Sequence, residues 1–253
     1  MRFLSRRNLM PTEFDHLQYS PIWNHHYERW FQEFQHNGNK LDATARNEFV
    51  EILDETIFSF SKGLPILKGA LERIKDLHDA YHTAYRVVVS VAQFTAITMI
   101  DCLVISKYFI LADKDYDRRF MRGKMKVILN EGFKKLYGFE EKTHNTSEWN
   151  RLAPILKYFP EDIQNQYKQL SSLLEEHSKS SSWWKDERNV ETHLDTEKLY
   201  ASRCEEVVES RVMMDSLKLY NTLYAVNLFL KNAHACFYNY LLTKYKQGEL
   251  KEK

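Results

Sequence analysis

Seven glycines and five prolines are all that this 253-residue chain offers to interrupt regular structure. Those two residue types supply the positive-φ corners and fixed-φ breaks of tight turns. With so few of them, turns are rare and the elements between them are long. Between the breaks, apolar residues recur at three- and four-residue spacing, and strand-like alternation is weak. The pattern predicts an all-α fold, a bundle of long antiparallel helices. Aromatic residues make up 14% of the chain, and such large side chains suit the space between packed helices.

Caps and breakers place the elements. Ser20-Pro21 reads as a helix start, with a hydroxyl cap and proline at the first helical position, and Asn37-Gly38-Asn39 ends that helix after about His36. A second helix runs from about Asp42 to Ser61, and Gly63-Leu64-Pro65 breaks it. A long helical stretch covers Ile66 to Leu111, kinked or split near Tyr85. Asp115 to Tyr137 is another helix, closed by Gly138. Glu140 to Ser147 reads as a polar loop. Ser147 caps a short helix reaching Tyr158, and Pro160 opens the next, to about His177. A polar turn over 177–182 leads into a helix from Trp183 to His193. The last long helix spans Ser202 to Tyr245. The expected organisation is an N-terminal helical extension, residues 1–63, and a bundle over residues 64–253, packed together as one unit.

The formal net charge is +1, so no global field draws the protein to a polyanion, and any such affinity comes from local patches. Cys102, Cys204 and Cys236 lie far apart without CxxC spacing, which argues against a disulfide framework or a zinc ribbon. Inert thiols in a reducing cytoplasm are the expectation. Val87 to Ala112 is long and apolar enough to span a bilayer. Gln93, Asp101 and Lys107 interrupt it, and a mid-span charge costs roughly 3 kcal/mol. The segment is therefore expected to be the central helix of a soluble bundle with no membrane contact.

One hexapeptide carries chemistry: Arg188-Asn189-Val190-Glu191-Thr192-His193. A guanidinium is a permanent cation whose planar fork matches phosphate oxygens. An imidazole takes or gives a proton near neutral pH. On a helix Asn189 and His193 share a face, while Arg188 lies about 140° round from His193 and reaches the same phosphate only by curling. The alternative is a solvated helix, with Arg188 bridging to Glu191 or Asp195. Trp183 and Trp184, just upstream, are either base-stacking surfaces or anchors in the bundle.

The hexapeptide resembles the signature of the HEPN superfamily (higher eukaryotes and prokaryotes nucleotide-binding), an arginine, a polar residue and a histidine a few positions on. The resemblance implies a HEPN-like helical core with extra N-terminal helices. It implies a homodimer whose two motifs face one cleft, and metal-independent RNA cleavage without a cofactor. His193 would be general base or acid, Arg188 would hold the scissile phosphate, and Asn189 would orient one or the other. It further implies a setting such as toxin–antitoxin or antiviral defence, with an inhibitory protein partner.

Two other constellations stand out. Arg118, Arg119, Arg122, Lys124 and Lys126 lie in a cation-rich helix, either a phosphate-tracking patch for RNA or an ordinary solvated face. His78-Asp79-Ala80-Tyr81-His82 puts two histidines four apart, the spacing of a metal pair on one helical face. A metal-dependent hydrolase on His78 and His82 is thus a further reading, as is a non-catalytic module binding a nucleotide or a protein. No Walker A, dinucleotide-binding glycine pattern or GxSxG elbow occurs.

Overall fold

The computed structural model describes residues 42–180, 184, 198, 200 and 209–248. Among them every regular element is a helix, the all-α bundle that the spacing predicts. The long helices are α1 (Ala43–Ile74), α2 (Ala80–Leu111), α3 (Asp115–Leu136), α5 (Glu161–Ser180) and α6 (Glu209–Lys246). Short α4 (Glu141–Asn145) and a 3₁₀ helix (Asn150–Tyr158) fill the corner between α3 and α5.

Helix α2 is the axis of the bundle, with α1, α3 and α6 all packed against it. Its long-range bonds show the directions. Lys107 Nζ donates to Asp54 at 2.6 Å, and the Arg86 guanidinium donates to the Ile74 carbonyl at 2.8 Å, so α1 and α2 form an antiparallel hairpin. The Thr95 hydroxyl donates to Asn227 Oδ1 at 2.8 Å, and His82 Nε2 pairs with the Tyr245 hydroxyl at 2.9 Å. Early α2 therefore meets late α6. Val88, Val89, Val91, Met99 and Leu103 of α2 are sealed from solvent. At roughly 1.5–3 kcal/mol per fully buried aliphatic side chain, this apolar axis is a main source of stability.

Local chemistry sets the ends. The Asp42 carboxylate accepts from the Ala45 amide at 2.9 Å and caps α1. The Asp79 carboxylate accepts from the Tyr81 and His82 amides and caps α2. Past the end of α3, Gly138 adopts φ +88°, a left-handed value that glycine reaches without a Cβ clash. Where α2, α3 and α6 come closest, Gly132 leaves room for Thr98 and Leu219.

Four boundaries differ from expectation. Helix α1 continues through Gly63 and Pro65 instead of stopping there, so residue 63 marks no break. A proline inside a helix costs about 3 kcal/mol, but Leu67, Ala70 and Ile74 beyond it are buried on the stripe that Leu53 and Phe60 begin. Burial of that stripe outweighs the lost hydrogen bond. The next break falls at Lys75–Asp79 rather than near Tyr85, because Asp79 caps there and Tyr85 lies inside α2. Glu140 to Ser147 contains α4, opened by a capping box between Glu140 and Thr143, and α5 runs to Ser180. The expected helices over residues 20–36 and 183–193 lie outside the described residues, Trp184 excepted.

Helix α2 is long and apolar enough to cross a membrane, and half of its most apolar stretch is buried inside the protein. Cys102 is buried within it, and burial pushes that thiol up to about 12.

Candidate functional site

Arg188, Asn189 and His193 lie outside the described residues, as do Trp183 and Cys204. The basic helix expected to track phosphate is α3. Arg118, Arg122, Lys126 and Asn130 follow one another at four-residue intervals and so form a single stripe. That stripe does not face solvent as one patch. Arg122 and Lys126 are each only 3% exposed and Asn130 is buried, whereas Lys124 is exposed and Arg118 and Arg119 are half-buried. The cations divide between two environments because α3 turns this stripe inward on the bundle.

The outer cations lie against aromatic faces. The Lys124 ammonium sits 5.1 Å from the Phe120 ring centroid, and the Arg118 guanidinium sits 5.7 Å from that of Phe109. The exposed ring of Tyr116 lies one turn before Phe120. Cations over rings with neighbouring exposed aromatics can offer phosphate and base contacts together.

Buried Lys126 and exposed Arg211 frame Trp184. Lys126 Nζ is 4.6 Å and the Arg211 guanidinium 4.9 Å from its ring centroid. Its indole N–H donates to Asp215 Oδ2 at 2.8 Å. Burial raises the Asp215 carboxyl, and the Trp184 hydrogen bond and the nearby Arg211 and Lys218 charges oppose that rise. Trp184 is buried and adopts φ 55°, a left-handed backbone value uncommon for a bulky residue. Of the two readings open for this tryptophan, the structure shows the anchor. Beyond it, His177 Nδ1 pairs with the Thr222 hydroxyl at 2.9 Å. Burial, then the Lys218 charge, hold that imidazole below its ordinary value.

The histidine pair expected on one helical face is not so placed. His78 is exposed and precedes the Asp79 cap, outside α2. His82 is 4% exposed, with Nδ1 2.5 Å from Asp79 Oδ2 and Nε2 2.9 Å from the Tyr245 hydroxyl. Burial alone would raise the Asp79 carboxyl, but hydrogen bonds from the His82 backbone and ring bring it below its ordinary value. The ionised carboxylate thus accepts the hydrogen bond, and His82 Nδ1–H donates it. Both imidazole nitrogens are occupied within the chain. No group of three or more metal-ligating side chains occurs among the described residues. The sequence carried a usable signal here, since Asp79-Ala80-Tyr81-His82 has the spacing of a helix cap followed by its third residue.

Sequence reasoning missed Asp215, Arg211 and Tyr245, because each acts through a partner distant in sequence. Comparison with protein-family models, curated proteins and solved structures finds no match to this chain. Fold and site together define an all-α bundle with a buried tryptophan–cation seam between α3 and α6.

Proposed function

We propose that this is a HEPN-type protein acting on RNA, by metal-independent cleavage or by binding, through Arg188, Asn189 and His193. The observation that carries the reading is the position of Trp184. It is seated against Lys126 of α3 and Arg211 of α6, and Arg188 follows four residues later. Helix α3, against which Trp184 is seated, also carries the more exposed cations Lys124, Arg119 and Arg118, which supports an anionic substrate.

In this reading the RNA 2′-hydroxyl is the nucleophile, which limits the substrate to RNA. His193 moves the proton, and Arg188 stabilises the charge growing on the phosphate. Two copies supply two motifs to one cleft, an inhibitory protein holds the activity in check, and α2 serves as a core helix of a cytoplasmic protein. A binding module without catalysis is the second reading, favoured by the exposed aromatic and cationic side chains of α3 whether or not His193 is positioned for proton transfer. Binding of labelled single-stranded RNA to the full chain and to Arg188→Ala separates the two. The nuclease reading expects cleavage products from the wild type and none from the variant. Tight binding by both, with no product, favours the module.

A further inference from the structure

Among the described residues two tyrosine–histidine hydrogen bonds join α2 to α6, and they differ in one chemical respect. Inside the bundle the Tyr85 hydroxyl meets His234 Nε2 at 2.6 Å. Tyr85 is buried, burial alone holds the His234 imidazole low, and no described carboxylate bonds it. That pair fastens two helices. At the end of the bundle the Tyr245 hydroxyl meets His82 Nε2 at 2.9 Å. Here a third group is present, with Asp79 Oδ2 2.5 Å from His82 Nδ1.

The third group sets the direction of both hydrogen bonds. The ionised Asp79 carboxylate accepts from His82 Nδ1–H, which leaves Nε2 as a bare lone pair. Nε2 therefore accepts from the Tyr245 hydroxyl. Carboxylate, imidazole and hydroxyl stand in the order that activates an oxygen nucleophile, with a base on the hydroxyl proton and a third group orienting the base. A phenol, with an ordinary pKa of about 10, yields its proton far more readily than an alcohol. His82 is 4% exposed, whereas Asp79 is exposed and Tyr245 half-buried, so the residues at both ends of the relay reach the surface. Helix α6 is continuous from Glu209 to Lys246. At 1.5 Å per residue, Tyr245 lies about 45 Å along it from Asp215, so the relay is remote from the Trp184 seam and independent of the RNA reading.

We propose that Tyr245 is the nucleophile of an acyl-transfer site, with His82 as its general base, Asp79 as a positioning residue and an uncharged, activated carboxylic ester as substrate. Tyr245 Oη attacks the carbonyl carbon, and the phenolic proton passes to His82 Nε2. The bond to the alcohol portion breaks, and that group leaves with the electron pair and takes the proton from His82. The acyl group stays on Tyr245. Water then attacks this aryl ester while His82 takes its proton. The carboxylic acid leaves, and the proton returns to the phenol. The Asp79 charge lies one imidazole away from the reacting oxygen, where it repels an anionic phosphoryl donor and leaves a neutral carbonyl unopposed.

The experiment treats the full chain with p-nitrophenyl acetate at pH 7.5 and follows nitrophenolate release, with peptide mass mapping of the acetylated side chains. At that pH an ordinary tyrosine is less than about 1% ionised. Tyr116 is the internal comparison, because it is 65% exposed and so more accessible than Tyr245. Tyr245 is expected to be acetylated at least about tenfold faster than Tyr116, and Tyr85 to stay unmodified. Asparagine caps a helix as well as aspartate does, so Asp79→Asn keeps α2. It is expected to slow acetylation of Tyr245 at least about tenfold and to leave Tyr116 unchanged. His82→Gln is expected to do the same, and its residual rate to climb about tenfold per pH unit as free phenolate forms, which the wild-type rate does not. Acetylation of Tyr116 as fast as that of Tyr245 overturns the proposal. So does wild-type reactivity of Tyr245 in Asp79→Asn or His82→Gln with helicity intact. The ranking of the tyrosines within the wild type decides the matter even where a variant fails to fold.

Discussion

The Tyr85 hydroxyl and His234 Nε2 share a hydrogen bond of 2.6 Å across the contact between α2 and α6. Burial lowers the His234 imidazole to about 4. The unfolded chain titrates this group near its ordinary value of about 6.5. Between those values the unfolded state binds the extra proton and the folded state does not, so stability falls as pH drops through that window. A shift of this size corresponds to about 3 kcal/mol when the full window is crossed. Urea denaturation at pH 7 and pH 5 is expected to show the loss, and His234→Gln is expected to flatten its dependence on pH. An unchanged pH dependence in the variant would place the acid sensitivity elsewhere.

Gly132 is a packing residue. A Cβ built there would approach Thr98 Cγ2 to 2.9 Å and Leu219 Cδ2 to 3.6 Å. Thr98 is β-branched and stiff, and its hydroxyl donates to the Phe94 carbonyl at 3.0 Å, so it yields poorly. Gly132→Val is expected to cost at least about 2 kcal/mol by overpacking. Thermal melting measures it, and a melting temperature within about a degree of wild type would contradict the tight crossing of α2, α3 and α6.

Lys126 and Lys124 differ by two positions in sequence and widely in environment. Lys126 is buried against Trp184, whereas Lys124 is exposed. Lys126→Ala is expected to lower stability by about 1–3 kcal/mol through lost packing and cation–π contact. Lys124→Ala is expected to stay within about 0.5 kcal/mol while weakening RNA binding and reducing its salt dependence. Equal effects on folding from both variants would contradict the inward turn of the α3 stripe.

Trp184 is held by its ring and by one hydrogen bond. Trp184→Phe keeps an aromatic face for Lys126 and Arg211 but removes the N–H that Asp215 accepts. The expected cost is about 1–3 kcal/mol, against about 3–5 kcal/mol for Trp184→Ala. Chemical denaturation of both variants measures the difference; equal costs would mean that the ring is not what the seam holds.

The helices were legible in the sequence because spacing and capping are local. Asp115 to Tyr137 came out nearly as read, since each end is set by residues beside it: Asp115 opens α3 and Gly138 follows its last turn. Gly63-Leu64-Pro65 misled for the complementary reason. A local breaker was overridden by Leu67, Ala70 and Ile74, whose burial against α2 depends on residues far along the chain. The same limit applied to the cations of α3. Periodicity places Arg118, Arg122 and Lys126 on one stripe but does not say which way the stripe faces, and that direction is set by α6 and Trp184. The segment His78 to His82 was open to two readings: the two histidines have the spacing of a metal pair, Asp79 to His82 has that of a helix cap, and only the fold separates them.

The central claim is that Arg188 and His193 act together on an RNA phosphodiester. The most direct measurement is cleavage of labelled RNA by the purified full chain in EDTA, beside an otherwise identical strand bearing 2′-deoxyribose. The account predicts cleavage of the RNA alone and a loss of about 100- to 10,000-fold in His193→Ala with folding intact. Undiminished cleavage by that variant, or equal cleavage of the deoxy strand, would contradict it.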